Sequence, residues 1–202
     1  MTASSIPTGN TFDKYGSTNP VVRRLMAGFE RDVDELFGQA APSSVLDVGC
    51  GEGVLTEQWA RRTGRIVGVD LDDPKLAAQW ARHGGQDNLE FRAMTVERLD
   101  FRDREFELVA ATEVLEHVAD PQRALAEMAR VSARWLLVSV PHEPLWRALN
   151  VARGTYLRDW GNTPGHLNHW TRGAFVKLLG AHGEVVQTRS PFPWTMLLVR
   201  VR

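Results

Sequence analysis

The chain has 202 residues, 43% of them hydrophobic and 24% charged, and a net charge of −1 at neutral pH. That balance suits one soluble domain with a real core and gives no electrostatic footprint for nucleic acid or an anionic membrane. No apolar run reaches the roughly 18 residues of a membrane span, the first ten residues lack an apolar signal-peptide core, and one cysteine excludes an internal disulfide, so a reducing cytoplasm is expected.

Residues 1–18, rich in Ser, Thr and Gly, read as a flexible lead-in. Asn19-Pro20 pairs a helix cap with proline at the first helical position. Val22, Leu25, Met26, Phe29, Val33, Leu36 and Phe37 then recur at helical steps as one apolar face, closed by Gly38. Val45–Val48 is a buried strand that stops at a glycine turn, and Leu55, Trp59 and Ala60 mark the helix behind it. A second strand covers 65–70. Pro74 opens a helix near 74–83, which Gly84-Gly85 ends. Strands follow at 89–93 and 106–111. Asp120-Pro121 starts another helix, with Leu125, Met128 and Ala129 inward. Trp135–Val140 has the near-continuous apolar character of a central parallel strand.

Residues 141–170 break the rhythm with three histidines, three tryptophans and scattered Pro, Gly and Asn. A helix resumes over 171–180. Strands at 184–189 and 194–200, joined by Ser190-Pro191-Phe192-Pro193, can only pair antiparallel. The fold class predicted is α/β: a single-domain, Rossmann-like, doubly wound sheet of seven strands, mostly parallel, with an antiparallel last strand. Residues 1–38 form a lead-in and cap helix, and 39–202 the cofactor-binding domain, with 141–170 as an acceptor-site insert.

Chemistry concentrates in Val45-Leu46-Asp47-Val48-Gly49-Cys50-Gly51-Glu52-Gly53. Glycines at every second position let main chain approach a ligand closely. Asp70, about twenty residues on, stands where an acid accepts hydrogen bonds from a ribose. A dinucleotide site would want glycine or alanine where Val54 stands, and no pyrophosphate tolerates the Asp47 carboxylate. S-adenosylmethionine, with an ammonium, a sulfonium and no phosphate, fits both departures. A nicotinamide dehydrogenase is the weaker alternative. Cys50 reads as a small filler rather than a nucleophile.

The run resembles motif I of the class I S-adenosylmethionine-dependent methyltransferases, and Phe106–Ala110 with Glu113-Val114-Leu115-Glu116-His117 resembles that family's fourth strand and following segment. The resemblance, closest to the type 11 methyltransferase-like domain, extends over about residues 40–200. It implies a cofactor cradle in which Gly49 and Gly51 lie against the methionine portion. Asp47 orients the ammonium, Asp70 takes the ribose hydroxyls and Leu71 packs on adenine. Thr95 and Val96 lie beside the adenine edge, and Thr112 and Glu113 line the sulfonium region. Ubiquinone-pathway O-methyltransferases and small-RNA 2′-O-methyltransferases carry a similar E-x-x-E-H pattern, with a further histidine, around a metal. The reading adopted is metal-free. The alternative cation set is Glu113, Glu116 and His117 on one helical face, completed by His166 or His169.

The insert is the expected acceptor pocket, walled by Trp146, Tyr156, Trp160 and Trp170, with His142, His166 and His169 as candidate general bases. Met26 and Phe29 could roof the site, and Tyr15 could close over the cofactor. The expected activity is methyl transfer to a small molecule, at oxygen on the strength of the histidines. Methylation of a peptide or at N or C, and a non-catalytic cofactor-binding partner subunit, are the alternatives.

Overall fold

The computed structural model describes residues 17–83 and 86–202; Tyr15 and the glycine pair 84–85 lie outside them. Seven strands form one sheet: β1 (Ser44–Val48), β2 (Arg65–Asp70), β3 (Leu89–Ala93), β4 (Phe106–Thr112), β5 (Ser132–Pro141), β6 (Gly183–Arg189) and β7 (Trp194–Val201). Their order is β3-β2-β1-β4-β5-β7-β6. Only β7 runs against the rest, paired antiparallel to β5 and β6. Strand order reverses beside β1, so the carboxyl ends of β1, β2 and β4 border one crevice.

Alternation along each strand sorts the core into two layers. On one face Val45, Ile66, Leu108 and Leu137 pack under α1 (Pro20–Ala40) and α2 (Val54–Ala60). On the other, Leu46, Val67, Val109 and Leu136 pack under α4 (Pro121–Val131) and α6 (Arg172–Gly180). The shorter α3 (Pro74–Trp80) buries Leu76. Asn19 caps α1 as expected, its side chain accepting from the Val21 amide. The helix runs past Gly38 to Ala40 because Ala41, at φ 42°, takes the left-handed position ahead of Pro42.

One helix escaped the periodicity. Leu145–Ala152, α5, follows Pro144 inside the irregular insert, and a 3-10 turn follows at Leu157–Asp159. Eight residues show too few helical repeats to stand out among prolines and glycines. Among the described residues, no helix is long and apolar enough to cross a membrane.

Candidate active site

A cavity of about 650 Å³ occupies the crevice at the carboxyl ends of the strands. One end is the glycine turn. Gly49, Gly51 and Gly53 all have positive φ, 67°, 53° and 85°, which glycine adopts without steric cost. The amides of Gly49 and Cys50 both donate to the Val69 carbonyl, at 2.7 and 3.0 Å. Chain neighbours apart, a Cβ at Gly51 would meet no atom of the described residues within 4 Å, and Gly51 lines the cavity. Trp80 Nε1 donates to the Gly51 carbonyl at 2.8 Å. The His83 ring bridges Glu57 Oε2 and the Glu52 carbonyl at 2.7 and 2.8 Å. Both partners are acceptors, so both bonds together require hydrogens on both ring nitrogens.

Two carboxylates face this turn. Asp47 lies on the α2 side of β1, 2% exposed, with Oδ2 accepting from Thr56 Oγ1 at 2.6 Å. Burial pushes its carboxyl up to about 7; the Thr56 hydroxyl opposes that rise and the Asp70 charge adds to it. Asp70, at the end of β2, accepts from the amides of Gly51 and Leu71, both at 2.7 Å. Its carboxyl is also raised, by burial first, with those amides pulling the other way. Burial together with the Asp47 and Asp70 charges raises the Cys50 thiol well above its usual range, which suits a filler rather than a nucleophile.

Of the other expected cofactor residues, Leu71, Val96, Thr112 and Glu113 line the cavity, and Thr95 does not. Its exposed side chain sits on a tight turn whose bond runs from the Arg98 amide to the Thr95 carbonyl. Met94 takes its place in the wall.

The segment after β4 is not a continuous helix. Glu113 sits at φ 62° and only Leu115–His117 forms a 3-10 turn. Glu113 therefore does not share a face with Glu116 and His117; its Oε2 accepts from Trp194 Nε1 at 2.6 Å. Glu116, His117 and His166 come together instead, each offering a ligand atom within 4.8 Å of the others. The loop carrying His166 is tied to the 3-10 turn. Leu167 and Asn168 amides donate to the Glu116 carbonyl at 2.7 and 3.1 Å, and Asn168 Nδ2 bonds the carbonyls of Leu115 and Val118. His117 Nδ1 lies 3.0 Å from the Gly165 carbonyl, which orients the ring.

Of the three histidine candidates, only His166 reaches the cavity. His142 is bridged to Trp170 beyond the end of β5, and His169 Nε2 lies on the surface 2.7 Å from Asn162 Oδ1. Trp146 and Tyr156 line the cavity as expected. Trp160 does not: it is 80% exposed. Trp170 packs on Phe175 in the core below α6. Met26 and Phe29 do form part of the wall. Sequence reasoning missed Trp194, Asn150 and Arg153, all in the wall; their partners lie in distant or irregular segments.

A family model described as a methyltransferase domain matches residues 46–134. The chain is 32% identical over 167 residues to the ubiquinone biosynthesis O-methyltransferase of Nitrosomonas europaea, covering 75% of this chain and 71% of that one. It is 34% identical to the protein of the same name from Idiomarina loihiensis, covering 90% and 80%. Among solved structures, the S-adenosylmethionine-dependent methyltransferase of Aquifex aeolicus superposes with a TM-score of 0.69 at 15% identity, covering 91% and 94%. Magnesium protoporphyrin IX methyltransferase of Synechocystis PCC 6803, solved with bound S-adenosylhomocysteine, gives 0.66 at 19%, covering 93% and 90%. With the glycine cradle, the two acids beside it and relatives matched over most of their length, the chain belongs to the S-adenosylmethionine-dependent methyltransferases.

Proposed function

We propose that this methyltransferase acts on an oxygen of a small molecule with an apolar body, held between α1 and the 141–170 insert. One observation carries the reading: the Glu116–His117–His166 cluster stands in the same cavity wall as the glycine cradle. The names of the two relatives support oxygen as the acceptor atom. In this division, residues 39–202 carry the cofactor site and the helix ahead of them contributes Val22, Leu25, Met26 and Phe29 as a roof.

S-adenosylmethionine brings a methyl already activated on a sulfonium, so the protein's tasks are alignment and exclusion of water. Gly49 and Gly51 admit the ligand to bare main chain. The Asp47 carboxylate faces the ammonium. Asp70, oriented by two amides, keeps lone pairs for the ribose hydroxyls. Leu71, Met94 and Val96 supply an apolar seat for adenine, and Thr112 and Glu113 border the sulfonium end. At the acceptor end the reading departs from the metal-free one adopted from sequence: one carboxylate and two imidazoles are a donor set suited to a divalent cation, with ligand atoms within 4.8 Å of one another. A cation there would favour the ionised form of an acceptor hydroxyl. His117 is pre-oriented for this by its bond to Gly165, and Trp146 stacks beside His166 at 6.1 Å.

Titration calorimetry with Mn²⁺ alone tests the cluster: one site is expected, lost in His117→Ala and His166→Ala. Incubation with S-adenosylmethionine and matched catechol, aniline and thiophenol acceptors tests the atom. An O-methylated product whose formation stops with chelator and returns with Mn²⁺ is expected. Methylation at nitrogen alone, or turnover indifferent to both chelation and His166→Ala, would overturn the reading.

A further inference from the structure

We infer that Arg153 binds an anionic group of the acceptor, so that the natural acceptor is an apolar hydroxylated molecule bearing a carboxylate or equivalent anion away from the methylated oxygen. This rests on the cavity beyond the cofactor cradle being the acceptor site. Arg153 is the sole lysine or arginine among the described residues lining the cavity, whose other charged walls are acidic. It ends the stripe Trp146, Leu149, Asn150, Arg153 on α5 and its C-cap, positions i, i+3, i+4 and i+7 on one helical face. At about 1.5 Å per residue, Arg153 stands about 10 Å along the helix from Trp146, which packs beside His166. An acceptor lying along this stripe presents one end to the imidazole pair and the other to the guanidinium.

The guanidinium is also held in place. Nη2 donates to Asn150 Oδ1 at 2.6 Å and Nε to Thr155 Oγ1 at 2.9 Å. Asn150, 1% exposed, is fixed in turn by Nδ2 bonds to the Gly161 carbonyl and Thr163 Oγ1, at 2.7 and 3.1 Å. Both direct partners of Arg153 are neutral, and it forms no ion pair among the described residues. Arg153 is solvent-exposed and pre-oriented, with no acidic neighbour among the described residues, so its remaining N–H groups can meet a carboxylate in bidentate fashion.

The test uses the full chain loaded with S-adenosylhomocysteine and Mn²⁺. Binding is measured for catechol carboxylates with none, two or four methylenes between ring and carboxylate, each beside its methyl ester. At least one acid should bind about 10- to 100-fold tighter than its ester, the range of a charged hydrogen-bonded contact. In Arg153→Met that ratio should fall to within about threefold of one, with Arg153→Lys between. A purely structural Arg153 would weaken acid and ester alike and leave the ratio intact. Esters binding as well as acids across the series, no acid binding at millimolar concentration, or an unchanged ratio in Arg153→Met would each overturn the inference. Loss of S-adenosylhomocysteine or Mn²⁺ binding in the parent protein would instead strike the reading of the site on which it rests.

Discussion

Asp47 should make cofactor binding depend on pH. Its carboxyl, raised by burial to about 7, is mostly protonated in the free protein below neutrality, whereas a ligand ammonium prefers the carboxylate. Binding must then release a proton. If only the ionised form binds well, the apparent Kd is about twofold weaker at pH 7 than its limiting value, about 10-fold at pH 6 and about 100-fold at pH 5. Calorimetry in buffers of different ionisation enthalpy reads the released proton directly. Asp47→Asn keeps the Thr56 contact and removes the titration, so its profile should be flatter and its affinity lower by about 10- to 100-fold. The same group bears on stability with a definite sign. The folded carboxyl holds its proton more tightly than the unfolded one, so its contribution is fully present below the unfolded value of 3.8 and is lost as pH rises towards 7. The loss is at most on the order of 4 kcal/mol. The ligand-free Asn variant should therefore melt higher than the parent at pH 8. A Kd constant from pH 5.5 to 7.5, or an equal slope in Asp47→Asn, would refute the assignment.

Asp70→Ala removes the acceptor of two amide bonds together with the proposed ribose contact. Cofactor affinity measured by calorimetry should fall by about 1.5–3 kcal/mol. Gly49→Ala places a methyl against the Val114 side chain at a φ of +67°. The melting temperature should drop by the equivalent of about 1–3 kcal/mol, and adding Val114→Ala should recover only part, because the backbone strain stays. Trp194→Phe keeps the ring packed on Phe29 but deletes the donor to Glu113. It should cost about 1.5–3 kcal/mol in denaturant unfolding, whereas a Trp194→Phe protein as stable as the parent would mean that this bond contributes little.

The sheet was readable because its interior strands are buried on both faces. Val45–Val48, Val67–Val69 and Leu136–Val140 each give a short, mostly apolar run between punctuation, and the two-strand tail could only double back. The glycine turn and Asp70 were equally readable as neighbours in one crevice, since the parts are local: a turn of five residues and one acid at the next strand end. Helix ends were less so. The left-handed stop at Ala41 and the end of α3 at Trp80 depend on what the chain does next rather than on a residue type. The proposed acceptor end resisted because its contacts are distant. Glu113 meets Trp194 across 81 positions and His117 meets Gly165 across 48, and no periodicity encodes such a pairing. The helical-face reading of Glu113, Glu116 and His117 failed for a related reason. One left-handed residue at Glu113 turns its side chain away, and it is the loop bonds at Leu167 and Asn168 that bring His166 into the vacant place.

The division has a physical basis. The cofactor end consists of main-chain groups and two acids at strand ends, held by the sheet ladder, so it can vary little without losing the ligand. The proposed acceptor end is built from α1, α5 and the loop around His166, none of which contributes a ladder bond to the central strands. Exchanging side chains along the Trp146–Arg153 stripe changes what lies above the methyl donor without disturbing β1, β2 or β4. Specificity can thus drift by substitution on α5 while transfer chemistry stays fixed below. A chimera tests this separation: α5 and its following turn, replaced by those of a relative with a different acceptor, should keep the parent's cofactor Kd within about threefold while changing which acceptors bind. A cofactor Kd that moves with the acceptor range would show that the two ends are mechanically one.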